Sequence, residues 1–153
     1  MISAKNASLL ALSIILIGAE AMAEDANFGQ FTLTPAHKTT VSGSTDGSYD
    51  LSSIAQTDQN GNPCIGYASV NPDHMMILKE DLAQLKLEVD SNGQDTTLVV
   101  KGPDNILRCD FGTNDTPDAV IKATDWPSGE YKIWVGSIEP SQKWDYRLLA
   151  GGK

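Results

Sequence analysis

Serine, histidine and aspartate, the residue types of a hydrolytic triad, all occur in this sequence, but not in a nucleophile motif. A serine nucleophile needs a histidine base and a carboxylate that orients the histidine. Only two histidines are present, and neither a G-x-S-x-G elbow nor a Gly-Asp-Ser-Gly segment occurs. We expect His74 to be a surface or turn residue hydrogen-bonded near Asp73, and His37 to be an exposed side chain without a role. The sequence therefore predicts no catalytic residue, with a serine peptidase as the alternative.

The two cysteines, Cys64 and Cys109, could serve as metal ligands, as a nucleophile or as a disulfide. No CxxC pair is present, which argues against a metal site. In an exported chain an even number of cysteines predicts a disulfide, here Cys64–Cys109, across a separation of 45 positions. The chain-entropy model gives such a loop about 4 kcal/mol of stabilisation. Oxidation would also remove both thiols as nucleophiles.

Three carboxylates in one short segment could bind a cation. Asp110, Asp115 and Asp118 lie within nine positions, with Gly112 and Asn114 between them. Calcium takes about six to eight oxygen ligands, which a flexible acidic loop can supply from carboxylates, an amide and backbone carbonyls. The segment predicts a weak Ca²⁺ site and no other cofactor. The alternative is a solvated acidic loop without a ligand.

Two tryptophans could form an aromatic platform for the faces of sugar rings. Trp134 alternates with Tyr131 and Ile133 and should face the other side of its strand, and Trp126 stands in a predicted turn, Trp126 to Gly129. These residues are the candidate ligand-binding side chains. In the alternative interpretation both rings are buried and cap the core, since tryptophan is highly buried on average.

The elements that must position these residues have the period of β-strands. Residues 95–110 predict a strand, a turn at Gly102 to Asn105, and a second strand that ends at Cys109. Residues 74–89 fit either a helix or two strands around a Lys79 to Asp81 turn, and the β-rich surroundings favour strands. Ser42 to Ser53 has the composition of a loop.

Short strands separated by turn signals make up the rest of the chain. We count eight or nine strands, without a strong amphipathic helix and without βαβ alternation. This pattern predicts an all-β fold, an antiparallel β-sandwich that is jelly-roll-like in outline.

The first residues have the three parts of a secretory signal peptide. Lys5 precedes an apolar run, ASLLALSIILI, and Ala21-Met22-Ala23 forms an A-x-A site before Glu24. The run is too short to span a bilayer comfortably. We therefore predict a signal peptide at 1–23, cleavage between Ala23 and Glu24, and a single domain at 24–153. The mature protein would be periplasmic or secreted, in a bacterium, with no membrane insertion after cleavage.

The charge of the chain restricts its partners. There are 20 acidic and 11 basic residues, for a formal net charge of −9. Such a balance disfavours nucleic acid and anionic lipid, whose phosphates attract lysine and arginine. We expect a monomer whose partner is a protein or a glycan that the sequence does not identify.

Several segments together resemble a known family. Cys64 is followed by Asn71-Pro72-Asp73-His74, then by DTTLVVKGPDN, Cys109-Asp110 and WPSGEYKIWVGS, which ends at Ser137. Their order and spacing resemble the bacterial pre-peptidase C-terminal (PPC-like) domains over about Cys64 to Leu149. These domains often carry an aspartate run after the second cysteine, and here Phe111 and Gly112 interrupt it, which weakens the inferred metal site.

The resemblance implies an exported β-sandwich module that is appended to secreted peptidases or stands alone, and it implies no catalysis. The function we expect is a non-catalytic binding or accessory module of unknown ligand. The alternatives are a calcium-assisted carbohydrate-binding module and a component of a secreted serine peptidase system with its own hydrolase activity.

Overall fold

Eleven strands form two β-sheets that pack against each other. The computed structural model describes residues 25–153, so the predicted signal peptide and its cleavage site lie outside the described residues. No helix of the described part is long and apolar enough to cross a membrane. The strands are β1 Gln30–Leu33, β2 Lys38–Ser44, β3 Tyr49–Asp50, β4 Tyr67–Ala68, β5 His74–Leu78, β6 Leu82–Asp90, β7 Thr96–Lys101, β8 Leu107–Phe111, β9 Val120–Trp126, β10 Gly129–Ser137 and β11 Asp145–Gly152.

The larger sheet has seven strands and is organised around β10. The long strand β10 pairs antiparallel with β5 and with β7, and its last residue Ser137 pairs with Tyr67 of β4. β7 and β8 form the hairpin that the sequence predicts, and β4 pairs with β3. β1 runs parallel to β5, with Phe31 opposite Met76. This pair is an exception to the antiparallel prediction, and no short turn joins the two strands to impose a direction.

The smaller sheet has four antiparallel strands in the order β2-β11-β6-β9. Its inner face carries Leu85, Leu87 and Val89 of β6, and Leu148 of β11, all of them buried. These residues meet Leu98, Val100, Ile133 and Tyr131 of the larger sheet and form the main core. Burial of this apolar surface is the main stabilising contribution to the fold.

The larger sheet is also covered on its outer face. The segment that contains β3, a 3-10 turn at Leu51–Ser53 and Cys64 lies over that face, and a second apolar cluster forms beneath it. Cys64 and Cys109 are joined in a disulfide with a Cα–Cα distance of 5.2 Å, which confirms the predicted pair. Trp134 and Val99 are buried in the same cluster.

The carboxylate of Asp58 fixes the loop that precedes Cys64. Oδ1 accepts hydrogen bonds from the amides of Asn60 and Asn62, at 2.8 and 2.9 Å. Oδ2 accepts one from the Asn62 side chain and one from the amide of Cys109, at 3.0 and 3.1 Å. Burial alone would raise the pKa of Asp58, but these donors together hold it below the ordinary value. The loop is thus tied to β8 beside the disulfide.

Most elements agree with the sequence, with three differences. Residues 74–90 form two strands around a turn at residues 79–81, as predicted. The strand count is eleven rather than eight or nine. The predicted loop from Ser42 to Ser53 is wrong in part, because β2 continues to Ser44 and β3 follows at Tyr49, both of them stabilised by pairing with distant strands. Trp126 is the last residue of β9 rather than part of the predicted turn, and residues 127–128 connect it to β10.

Candidate functional site

An open groove of about 900 Å³ lies at one end of the four-stranded sheet. We call it the Trp144 groove. The end of β2 and the beginning of β11 form one side, the turn after β6 forms another, and Phe28 closes it from the N-terminal segment. Its lining comprises Phe28, Ser42, Gly43, Ser44, Asp90, Ser91, Asn92, Gln94, Lys143, Trp144, Asp145, Tyr146 and Arg147.

Trp144 stands immediately before β11 and is held there through its backbone. Thr45 is fully buried, and its amide donates to the Trp144 carbonyl at 2.9 Å. The amide of Trp144 donates to Thr45 Oγ1 at 3.0 Å, and that hydroxyl donates to the carbonyl of Gln142 at 2.8 Å. Trp144 itself remains half-buried. A fixed backbone therefore presents this indole at the wall of the groove.

A cluster of rings lies beneath the groove. Phe28, which is 42% exposed, packs edge-on against Tyr146 with a centroid distance of 6.4 Å. Both rings lie against Gly43, where an added Cβ would come within 2.4 Å of the Tyr146 hydroxyl and 2.8 Å of the Phe28 ring. Glycine is thus required at position 43 by the close approach of these two rings. The groove has a tyrosine floor and a partly exposed phenylalanine edge.

The Tyr146 hydroxyl reaches into the core and bonds to His74. Its oxygen lies 2.9 Å from His74 Nε2, while His74 Nδ1 has no hydrogen-bond partner among the described residues. His74 is fully buried on β5, so the prediction of a surface or turn residue is wrong. Burial lowers the pKa of His74 to about 4, and burial likewise raises the pKa of Tyr146 well above its ordinary value.

Asp73 is buried beside these residues and has its own partners. Its Oδ2 accepts a hydrogen bond from the Val135 amide at 2.8 Å, and its Oδ1 accepts one from Asn27 Nδ2 at 3.1 Å. Burial raises the pKa of Asp73 to about 6, and the two donors oppose that shift in part. Asp73 therefore ties the N-terminal segment that carries Phe28 to the central strand β10.

Side chains of both charges and polar groups line the rim of the groove. Arg147 Nη2 forms an ion pair with Asp90 Oδ2 across neighbouring strands, and the hydrogen bond from Arg147 is the largest cause of the lowered pKa of Asp90. Asn92 and Gln94 are exposed in the turn that follows. Asn92 adopts the left-handed conformation, with φ 62°, which asparagine tolerates better than most residues.

The three predicted calcium ligands do not converge on one point. Asp118 Oδ1 accepts hydrogen bonds from the amide and the hydroxyl of Ser91, so it holds the turn that carries Asn92. Asp110 Oδ2 accepts a hydrogen bond from the Val120 amide at 2.6 Å, and burial raises the pKa of Asp110. Asp115 is exposed. Within residues 25–153 no three histidine, cysteine or acidic side chains are grouped as a metal site, and the calcium site stays a prediction.

Neither tryptophan proposed as a sugar platform is exposed. Trp134 does face away from Ile133, as the alternation predicts, but the Cys64 segment covers it and leaves 6% of the residue accessible. Trp126 is 1% accessible and packs on Tyr131 at a ring-centroid distance of 5.3 Å. The structure therefore supports the alternative interpretation, in which both rings belong to the core. The sequence did not indicate that a second layer covers the outer face of the larger sheet.

The described residues show no triad around either histidine. His37 Nδ1 lies 3.0 Å from Thr34 Oγ1 and 3.2 Å from the Pro35 carbonyl oxygen, and no carboxylate bonds to this ring. His74 is paired with Tyr146. The sequence analysis did not select Trp144 as a candidate, although it lines the groove one residue before β11 begins. The polar run Glu139 to Lys143 could have indicated the exposure of Trp144, because it predicts a solvent-exposed segment immediately before that residue.

Similarity to known proteins is found among solved structures and not among sequences. No family model matches the chain, and no curated protein sequence matches it. Among solved structures, the chain is similar to the pre-peptidase C-terminal domain of a collagenase from Bacillus anthracis, with a TM-score of 0.45 and 12% sequence identity. The match covers 78% of this chain and 93% of that domain. The solved domain belongs to the family that the sequence resembles, and the likeness concerns the fold alone.

Proposed function

We propose that the protein is an exported, non-catalytic binding module that holds a short neutral oligosaccharide in the Trp144 groove. The observation that carries this proposal is the half-buried Trp144, which lines a groove together with Phe28, Tyr146 and several hydroxyl, amide and charged side chains. Aromatic faces offer apolar contact to a sugar ring, and their polar neighbours supply the hydrogen bonds.

The composition of the groove favours an uncharged ligand. Asp90 and Asp145 are balanced by Lys143 and Arg147 within the lining. Arg147 is already paired with Asp90, and Lys143 Nζ lies 3.7 Å from Asp46 Oδ2. The lining thus has two acidic and two basic side chains and no net charge. Its volume of about 900 Å³ lies within the range of ligand pockets, roughly 300–1,000 Å³.

Two further observations support the non-catalytic and exported parts of the proposal. His74 bonds to Tyr146 and His37 bonds to Thr34, and neither ring has a hydrogen bond to a serine or a carboxylate among the described residues. A disulfide in the core is typical of proteins that fold in an oxidising compartment. The segments from Cys64 to Ser137 that resemble PPC-like domains point to an accessory role.

A glycan array with the mature domain tests the proposal. We expect binding to neutral oligosaccharides that is lost in Trp144→Ala and retained in Val70→Ala, which trims a 68%-exposed apolar side chain elsewhere. Retained binding in Trp144→Ala, or no binding to any neutral glycan, would refute the groove as the site.

The same array separates the alternative functions. Parallel wells with calcium and with EDTA test the calcium-assisted form, which requires binding to fall in EDTA. A fluorophosphonate probe tests the serine peptidase alternative, and labelling of a single serine in stoichiometric amount would favour it over the binding module.

A further inference from the structure

A row of lysines crosses the outer face of the four-stranded sheet, away from the Trp144 groove. Lys38 of β2 is opposite Gly151 of β11, Gly151 is opposite Lys86 of β6, and Lys86 is opposite Lys122 of β9. Residues directly opposite each other in a sheet share one face. Lys38, Lys86 and Lys122 therefore stand in one line, which we call the lysine row.

The row lines a groove of about 760 Å³. The neighbouring strands are about 4.8 Å apart, so the row extends over roughly 14 Å. Gly151 has no side chain and so leaves the middle of the row open. A Cβ at this position would come within 3.3 Å of Lys38 Cγ and crowd that lysine. Lys153 exchanges backbone hydrogen bonds with Gln84 and adds a fourth lysine at the end of the same groove.

This arrangement is unfavourable for the sheet alone. Like charges directly opposite each other destabilise a β-sheet, and Lys86 and Lys122 are such a pair. Lys86 has Glu88 as an exposed ion-pair partner, whereas Lys38 and Lys122 form no ion pair with any residue between 25 and 153. Three aligned cations in a chain of net charge −9 provide local complementarity to an anion.

We propose that the lysine row binds an acidic polysaccharide, a chain of sugars that carry carboxylates. A linear chain can place successive carboxylates along the row, with the alkyl stems of the lysines and Leu149 beneath its rings. The acidic surface elsewhere is largely screened beyond a Debye length of about 8 Å, so it does not prevent a single chain from lying on the row.

The composition of the face disfavours other polyanions. Protein interfaces have cores rich in aromatic residues and poor in lysine. The accessible strand residues of this face include no aromatic side chain and few apolar ones, Val120 and Leu149, because the pair Leu82 and Trp126 at the end of the register is buried. A nucleic-acid duplex is wider than the row and would meet the acidic surroundings. This site is separate from the Trp144 groove and does not depend on the function proposed for it.

Calorimetry with a defined oligogalacturonate tests the proposal. We expect binding by the mature domain that weakens at least tenfold in Lys86→Gln/Lys122→Gln and at least fivefold between 50 and 200 mM salt, since counterion effects govern such contacts. Lys79→Gln/Lys101→Gln removes the same charge from exposed positions outside the groove and should bind within twofold of wild type, as should Trp144→Ala.

Three outcomes would overturn the proposal. The first is equal binding of the fully methyl-esterified oligomer, which lacks the carboxylates. The second is equal binding of poly-glutamate, which would assign the row to an acidic polypeptide. The third is unchanged affinity in Lys122→Glu, a charge reversal that leaves the inner face of β9 intact.

Discussion

At the scale of single residues, the neighbours Asp73 and His74 have opposite effects on how stability depends on pH. Asp73 has a pKa of about 6 in the folded protein against an ordinary value of 3.8. The folded state therefore holds more protons than the unfolded state between these values, and the free energy of unfolding falls as pH rises through them. His74 has a pKa of about 4 against 6.5, so its contribution to the free energy of unfolding rises with pH over that interval.

The two contributions should nearly cancel in the native protein, and single substitutions should separate them. Each corresponds to about 3 kcal/mol between pH 4 and 6.5. In Asp73→Asn we expect the free energy of unfolding, measured by urea denaturation, to rise with pH over this interval more steeply than in the native protein. In His74→Gln we expect it to fall. Asp104→Asn, at an exposed turn, serves as the control. Parallel pH profiles in all four proteins would contradict this account.

The hydroxyl of Tyr146 supports His74 from below the Trp144 groove. In Tyr146→Phe the buried Nε2 of His74 would lose its partner at 2.9 Å. An unsatisfied buried polar group costs about 1–3 kcal/mol, and we expect a loss of stability of that size by thermal or urea denaturation. The ring remains, so neutral-glycan binding should persist in the folded variant. Unchanged stability would show that the hydrogen bond makes no net contribution.

At the scale of elements, Asp58 and the disulfide together hold the layer that covers Trp134. In Asp58→Asn one of the two accepting oxygens becomes an amide NH2 group, a donor that faces other donors. We expect a loss of roughly 2–3 kcal/mol in the free energy of unfolding, against no change in Asp115→Asn at an exposed position. Equal stability of the two variants would contradict the role assigned to Asp58.

The disulfide can be tested in the same layer. Cys64→Ala and Cys109→Ala break the same link, so both should lower the free energy of unfolding by similar amounts, on the order of 2–5 kcal/mol. Denaturation with and without reductant supplies the control. Reductant should lower the free energy of unfolding of the unsubstituted protein, which has the disulfide, and leave that of both variants unchanged. Widely different losses in the two variants would show that one cysteine contributes mainly through packing.

The smaller sheet offers a test of the lysine row through stability. Lys122 is directly across the sheet from Lys86, so Lys122→Glu replaces two like charges with two unlike charges. We expect a gain of about 0.2–1 kcal/mol in the free energy of unfolding at low salt, which should shrink at high salt. A loss of stability at low salt would mean that the two ammonium groups do not repel each other as their register implies.

The sequence predicted individual elements better than the layers that they form. Alternation in 96–111 was enough to place β7 and β8, because turn residues separate two apolar runs. In 74–90 the pattern also fitted a helix, and the β-rich surroundings were needed to place β5 and β6. Alternation also gave the correct face for Trp134. It could not show that the segment from β3 to Cys64 packs over that face, since this depends on long-range pairing of Tyr49 with Ala68. The exposure of Trp144 depends likewise on the distant residue Thr45.

At the scale of the whole molecule, the four-stranded sheet of an acidic protein carries both a neutral aromatic groove and a basic row. The predicted export can be tested by intact mass of protein from the periplasm or the medium. We expect a chain that begins at Glu24 and lacks two mass units for the disulfide between Cys64 and Cys109. A full-length chain retained in the inner membrane would contradict the predicted cleavage.

The most direct test of the binding-module account is an NMR titration of the three indole Nε1–H signals. Trp144 lines the groove, whereas Trp134 Nε1 donates to the Val70 carbonyl at 3.3 Å and Trp126 Nε1 to the Ala123 carbonyl at 3.1 Å within the core. Titration with a neutral oligosaccharide from the array should shift the Trp144 signal in a saturable manner and leave the two buried indoles unchanged. Saturable binding with an unmoved Trp144 signal would contradict the account.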